Sequence, residues 1–347
     1  MSIRPFLITI VFLVVSVSSV YSKETNKKDV RTEYKAFKDH HLKDLHSFKI
    51  FYFKKEGKKK YVSFPLPVII YNRGALDVFS SARFYNEKNK KIPYTFNSTV
   101  YEIDENSEKI KATSLSGGAV KITDLSITKN VVLILCGILL MVIVFVNMAK
   151  GYKKQPIPSG MGRFLEPIVI YIRDEIARPN IGEKHYKRYM SFLLTVFFFV
   201  WFVNLFGLTP IGSNVTNNIA VTASLAILTY VITTFTANRH YWKHIFWMPG
   251  VPTPMKIILA PIELLGTFIK PFSLMIRLYA NMTAGHVVLM SILGLIFIFQ
   301  NWIGGTLSFA LAFALCLLEL LVCVLQAYIF TMLSALYFGA AVEEHDH

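Results

Sequence analysis

Between Thr306 and Ala341 the chain runs almost unbroken through apolar side chains, with Glu319 its one Asp, Glu, Lys or Arg. At about 1.5 Å per residue such a run reaches on the order of 50 Å as a single helix. Residues 255 to 299, with turn signals only at Pro261 and Pro271, would reach on the order of 65 Å. A bilayer's hydrocarbon core is about 30 Å thick. The two stretches must therefore be strongly tilted, bent at the prolines, or broken, with the uncharged "FQNWIGGT" between them as a hairpin tip. Composition agrees: 53% of the 347 residues are hydrophobic and 28 are phenylalanine, more than one soluble core needs.

Three shorter apolar spans come first. "VVLILCGILLMVIVFVNM" is close to a full bilayer crossing, "MSFLLTVFFFVWFVNLFGLT" ends at Pro210, and a third follows from about Ile219. Membrane helices are thus expected at about 130–149, 190–210, 219–237, 255–299 and 306–341. Phe164, Leu165, Ile168, Val169, Ile172 and Ile176 recur at three- and four-residue spacing. That spacing predicts an amphipathic helix over about 163–178, lying at the membrane surface.

The N-terminus has Arg4, a short apolar run from Phe6 to Val15, then small residues around Val20 and Ser22. This pattern predicts a signal peptide over 1–22; an uncleaved anchor helix is the other reading, for which the run is short. Residues 23–128 are polar, with 21 Lys/Arg against 13 Asp/Glu. "RTEYKAFKDHHLKDLHSFKIF" is read as opening on a helix, and "YVSFPLPVIIYN", "SSARFYN" and "KIPYTFNSTVYEI" as short strands. The fold class is accordingly an all-α polytopic membrane protein with about five mature membrane helices, including a long tilted helical hairpin, plus a small N-terminal extramembrane α+β module. The membrane domain is placed at 129–347.

The net charge of +15 lies in polar segments that flank apolar spans, which favours lipid headgroups or acidic protein partners over nucleic acid. Basic segments at 150–190 and 238–243, against a loop lacking Lys and Arg between the second and third spans, are cytoplasmic by the positive-inside rule. The N-terminal module is then periplasmic and the C-terminus cytoplasmic. Cys136, Cys316 and Cys323 fall inside predicted helices without metal-type spacing and read as buried thiols. His40, His41 and His46 form a histidine group read as solvated surface rather than a metal site, and the tail "EEHDH" reads likewise as a solvated terminus. Neither a cofactor nor a metal is expected. Asn97-Ser98-Thr99 matches a glycosylation acceptor.

Within the last hairpin sit Glu263, Lys270, Arg277, His286 and Glu319, with Asn281 and Gln326 as neutral polar companions. A charge at mid-membrane costs roughly 3 kcal/mol, so several on two helices point to an ion path. Snorkelling to the interface is the competing reading for Glu263 and Lys270; Arg277 is flanked by apolar residues on both sides. At 100° per residue Lys270, Arg277, Asn281 and Gly285 share one stripe of a helix, and His286 lies on the opposite side. Arginine stays charged, whereas histidine and glutamate exchange protons. A fixed positive charge beside titratable groups suits a device that makes a carboxylate release its proton. That carboxylate is not evident in this chain, which implies a partner subunit.

"SLMIRLYANMTAGH" resembles the arginine motif of subunit a of F-type ATP synthases, and "RDEIARPNIG", "NLFGLTP" and "VLQAYIFTMLSALY" resemble other stretches of that family in its order. The resemblance covers roughly residues 130 to 341. It implies a stator subunit of the Fo sector in a bacterial inner membrane, packed against a ring of c subunits and the b-subunit peripheral stalk, within the FoF1 complex. By the same resemblance Arg277 is the essential gate, Asn281, His286, Glu319 and Gln326 fall on the proton path, and Glu263 lies near it. Such a subunit is not an enzyme on its own. Two other classes are weighed: a self-contained secondary transporter with a buried arginine, against which no internal repeat is seen, and an intramembrane metalloprotease, for which His-Glu-x-x-His is missing.

Overall fold

The structure, a computed structural model, describes residues 43 to 343 apart from 56–57, 87–90, 105–107, 155–159, 210–214, 249–250 and 299–301. The signal-peptide reading, His40, His41 and the "EEHDH" tail beyond Glu343 lie outside the described residues; His46, read with them as solvated surface, is instead buried, because its ring pairs with Asp124 at 3.3 Å.

The N-terminal part is built of short strands: β1 (Ser47–Lys55), β2 (Lys58–Pro65), β3 (Pro67–Asn72), β4 (Ala75–Ser80), β5 (Tyr94–Phe96), β6 (Thr99–Ile103), β7 (Ile110–Ser114), β8 (Ala119–Val120) and β9 (Thr123–Asp124). They form a β1-β2 hairpin, a β4-β3-β9 sheet and a β5-β6-β7-β8 sheet, with every pairing antiparallel. One of the expected local structures comes out differently. The start of the segment read as opening on a helix is not among the described residues; from Ser47 its tail is strand β1, as its aromatic and β-branched content favours. In "SSARFYN", Ser81–Phe84 is a 3₁₀ turn, because the Ser80 hydroxyl accepts from the Ala82 N–H and bends the chain.

Strand alternation in β3 buries Val68 and Ile70 while Tyr71 stays exposed, and β4 buries Asp77 and Phe79. Those inward residues meet Phe84 and the inward residues of the other sheet, Tyr101, Ile103, Ile110 and Ala112, in one core. A polar network crosses this core. Asn72 donates to Thr99 Oγ1 (3.1 Å) and to the Tyr101 hydroxyl (3.0 Å), Tyr101 donates to Asp77, and Asn97 donates to the other Asp77 oxygen at 2.8 Å. Asn97 and Ser98, both with positive φ, make the β5–β6 turn, so the glycosylation-like asparagine holds a turn through its amide.

The membrane part holds five helices long and apolar enough to cross a bilayer: α1 (Lys129–Lys154), α4 (Tyr186–Leu208), α5 (Ile219–Thr236), α7 (Thr253–Ile298) and α8 (Trp302–Val342). Between α1 and α4 run α2 (Met161–Tyr171), a π-helical turn (Ile172–Ala177) and α3 (Arg178–Ile181); α6 (Arg239–Phe246) links α5 to α7. Of the surface helix's apolar spacing, Leu165, Ile172 and Ile176 are buried, but Phe164 is exposed. Both long helices are continuous. With 46 and 41 residues they span about 69 Å and 62 Å, and α7 passes through Pro261 and Pro271 without a break.

The main core joins α4, α7, α8 and the α2–α3 segment. Tyr189 stacks on Phe338 with ring centroids 4.6 Å apart, and a Cβ on Gly339 would collide with the Asn180 carbonyl oxygen. The α5–α6 junction closes on the end of α8, where Asn238 N donates to the Ala341 carbonyl and its side chain to that of Val342. Of the cysteines, Cys323 is buried, but Cys136 and Cys316 are exposed on outer helix faces, a correction to the reading of three buried thiols: a thiol is apolar enough to face lipid.

Burial first, then its bond to Asp77, pushes the Tyr101 phenol up from 10.0 to about 12. A raised acid constant favours the protonated form in the fold. The contribution is whole below about pH 10 and is lost as pH rises through about 12. Tyr101→Phe is expected to destabilise this module by roughly 1–3 kcal/mol, because Asp77 stays buried with one donor fewer. It should also remove part of the alkaline destabilisation between those pH values. Amide exchange of β6 in the detergent-solubilised chain measures both.

Candidate functional site in the helical hairpin

Helix α7 has two faces. Thr267, Leu274, Leu278, Met282, His286 and Leu289 are buried, whereas Ile262, Leu265, Ile269, Ile276, Ala280 and Ala284 are exposed. Arg277, half-buried, stands at the seam between them, and Asn281 on the next turn is exposed. The Arg277 charge reaches Tyr337 of α8. Two turns earlier on the same stripe, the Lys270 ammonium lies 5.9 Å from the centre of the Tyr337 ring. Lys270 thus sits over a tyrosine ring of α8, an arrangement that ring quadrupoles favour, and the Arg277 charge acts on the same tyrosine.

Glu319 of α8 is buried, and so is Gln326 two turns on. Neither carboxyl oxygen of Glu319 has a hydrogen-bond partner among the described residues. The helices approach here because Gly285 has no side chain: a Cβ on it would sit 2.8 Å from Glu319 Oε1. Glu319 therefore lies on the Gly285 side, two turns or about 12 Å along the helix from Arg277. The family resemblance pairs Glu319 with His286 across the hairpin; both are buried, but no hydrogen bond joins them, since neither Glu319 oxygen has a partner among the described residues.

His286 looks elsewhere, toward the start of α1, where the Lys129 charge acts on it. This end of the molecule collects further polar groups that sequence reading did not single out. Thr216, in the 3₁₀ turn Val215–Asn217 after α4, donates to Asn204 Oδ1 at 2.8 Å, and Thr283 donates to Asn217 Oδ1. A signal existed for one of them: Asn204 interrupts the phenylalanine-rich span "FFFVWFVNLF". Thr216, Asn217 and Thr283 carry no such mark, because small hydroxyl and amide residues also occur in ordinary turns and helices.

The opposite end holds a second polar region. Thr229 and Thr233 of α5, Tyr241 of α6, and Thr267 and Lys270 of α7 line a small cleft with Tyr337. Glu263, half-buried, lies within electrostatic reach of Tyr241. Burial is the main reason the Tyr241 phenol is held above its usual range, with Glu263 adding to it. The six predicted residues thus fall along α7 and α8, with Glu263 near one end, Arg277 between, and His286 and Glu319 toward the other. No group of three His, Cys, Asp or Glu suited to a metal occurs among the described residues.

A polytopic membrane protein with ionisable groups strung along a long helical hairpin is the class these features define. The family described as ATP synthase A chain matches residues 131–339. The chain is 44% identical over 230 residues to ATP synthase subunit a of Chloroherpeton thalassium, covering 65% of this chain and 69% of that one. It is 44% identical to ATP synthase subunit a of Myxococcus xanthus, covering 65% and 75%, and 42% identical to that of Anaeromyxobacter sp. strain Fw109-5, covering 65% and 56%. This chain belongs to the family of bacterial F-type ATP synthase a subunits. Residues 37–130 match a separate family, described as a domain of unknown function (DUF8433).

A buried carboxyl group without partners costs stability. Glu319→Gln and Glu319→Leu are therefore expected to leave the thermal midpoint of the purified protein unchanged or raise it by a few degrees, a shift of about 1 kcal/mol or more. A clear fall in the midpoint for both variants would show that Glu319 is held by contacts that stabilise it.

Proposed function

We propose that this chain is the stator a subunit of an Fo sector, in which a proton passes through one half-channel, joins a carboxylate on a ring of c subunits, and leaves through another. The observation that carries this reading is Arg277 at the seam of α7, between a face packed inside the protein and a face of apolar and small residues left exposed. On that exposed face Ala280 and Ala284 allow another helix to come close. A ring carboxylate arriving there meets a cation that cannot be discharged. The ion pair favours the ionised carboxylate, so the proton must leave before the carboxylate passes the arginine. The same charge bars direct leakage between the two polar regions.

His286, Glu319, Gln326 and Asn281 are assigned to the path on the module side, and Glu263, with the Lys270–Tyr241 cleft, to the path on the other. The module side is the periplasm and the α8 C-terminus is cytoplasmic. The b-subunit stalk and the remainder of FoF1 complete the assembly, and the residues of this chain carry out no covalent step. A self-contained transporter is the alternative; it would be active when purified alone, whereas an a subunit copurifies with a c ring and the ATPase head.

In membrane vesicles, Arg277→Ala and Arg277→Lys are both expected to abolish ATP-driven proton pumping while the complex still assembles, lysine failing because it is a compact, strongly hydrated point charge without the arginine fork. Pumping that persists in the alanine variant sinks the proposal. Glu319→Gln is expected to lower flux by roughly tenfold or more, about 1.4 kcal/mol in the barrier.

A further inference from the structure

The N-terminal module is fastened to the membrane part at the end where His286 lies. Strand β3 continues its pairing past β9, with Leu125 N donating to Ile69 O (2.9 Å) and Ile127 N to Pro67 O (3.2 Å). Lys129 N, at the start of α1, then donates to Leu45 O at 2.9 Å. Asp44 spans the same junction: one carboxylate oxygen accepts from Thr128 Oγ1 at 3.0 Å, the other from Asn130 N at 3.2 Å. The residue between those two partners is Lys129, buried, on which the Asp44 charge acts on one side while the Lys129 charge acts on His286 on the other.

Several buried polar atoms in this region have no hydrogen-bond partner among the described residues: Asn130 Oδ1, Asn204 Nδ2 and both oxygens of Glu319. Buried polar atoms in native proteins are satisfied almost without exception, by water where protein does not serve. Together with Thr216, Asn217 and Thr283 they mark a hydrated route from the base of the module to the His286 region. Its outer end passes a buried ammonium, which repels an approaching proton unless a negative charge offsets it.

We propose that Asp44 and Lys129 form the mouth of the module-side half-channel, with the module's Asp44 offsetting the Lys129 charge so that protons reach His286. The inference rests on the proton-path reading above. It gives the module a working part in the route: one of its carboxylates sets the potential at the opening. Other charged groups of the module are engaged within it, His46 with Asp124 at 3.3 Å, and Glu108 with Lys91 at 2.8 Å and with Lys43, the neighbour of Asp44, at 4.0 Å. Asp44 therefore acts as a positioning and electrostatic residue, and it touches no c-ring group.

The test measures passive proton flux through the assembled complex in F1-stripped vesicles under an imposed potential. Asp44→Asn is expected to lower flux by roughly tenfold, and Lys129→Met in the same chain to restore it, because removing the cation removes the need for the anion. Asp44→Glu should conduct like the parent. To separate charge from folding, an Asp44→Cys complex is assembled first and then treated with membrane-impermeant thiol reagents. A sulfonate-bearing reagent should raise flux and an ammonium-bearing one should not. The inference is overturned if Asp44→Asn conducts normally, if the double variant stays as low as the single one, or if the two reagents act alike. In vesicles that keep F1, Arg277→Ala separates the two levels: loss of ATP-driven pumping there, with Asp44 variants silent in the flux assay, rejects this inference alone, whereas retained pumping rejects the underlying reading.

Discussion

The constraint on which the rest depends is the cost of placing ionisable groups at membrane depth. Each such group loses its hydration, and the backbone around it must stay hydrogen-bonded internally. The chain meets both demands with helices. Their ladders satisfy the backbone, and their faces sort charges away from lipid. Glu319 and His286 are turned inward and buried, Lys270 lies over the Tyr337 ring, and Arg277 sits at the edge of the packed face. Buried oxygens of Glu319 without partners remain a local expense, of the kind a protein keeps where function needs it.

The length of α7 and α8 follows from the same economy of contacts. A single-span helix such as α1 packs lightly, mainly against α4 through a close approach at Gly137. The long pair instead carries one continuous surface past several neighbours: α3, α4, α5 and the turn after α4. Because neither helix breaks at a proline, the polar groups keep a fixed helical phase over the whole length. That phase lets Arg277 and Gly285 present to different partners although they lie on the same stripe.

The module's attachment uses ordinary means to an unusual place. Strand pairing, one helix-start carboxylate and a buried lysine fix a β-rich body against the start of α1. The junction lies within electrostatic reach of His286 through Lys129.

Much was legible in the sequence. Five spans, the hairpin, the isolated arginine and the family likeness all follow from hydropathy and short motifs, because lipid enforces those patterns residue by residue. Burial of His286, Glu319 and Gln326 followed from the cost of exposing them. What sequence did not decide is which partner each buried group meets. Helical phase put His286 opposite Arg277 and the family resemblance set Glu319 across from it; packing of α1 and the module supplied Lys129, more than 150 residues earlier in the chain. Likewise helical phase put Gly285 on the Arg277 stripe, but only the tertiary structure shows that Glu319 fills the space beside it. One-dimensional patterns record what faces lipid and what does not, and the contacts between two hidden faces are set by how helices of different sequence register against each other.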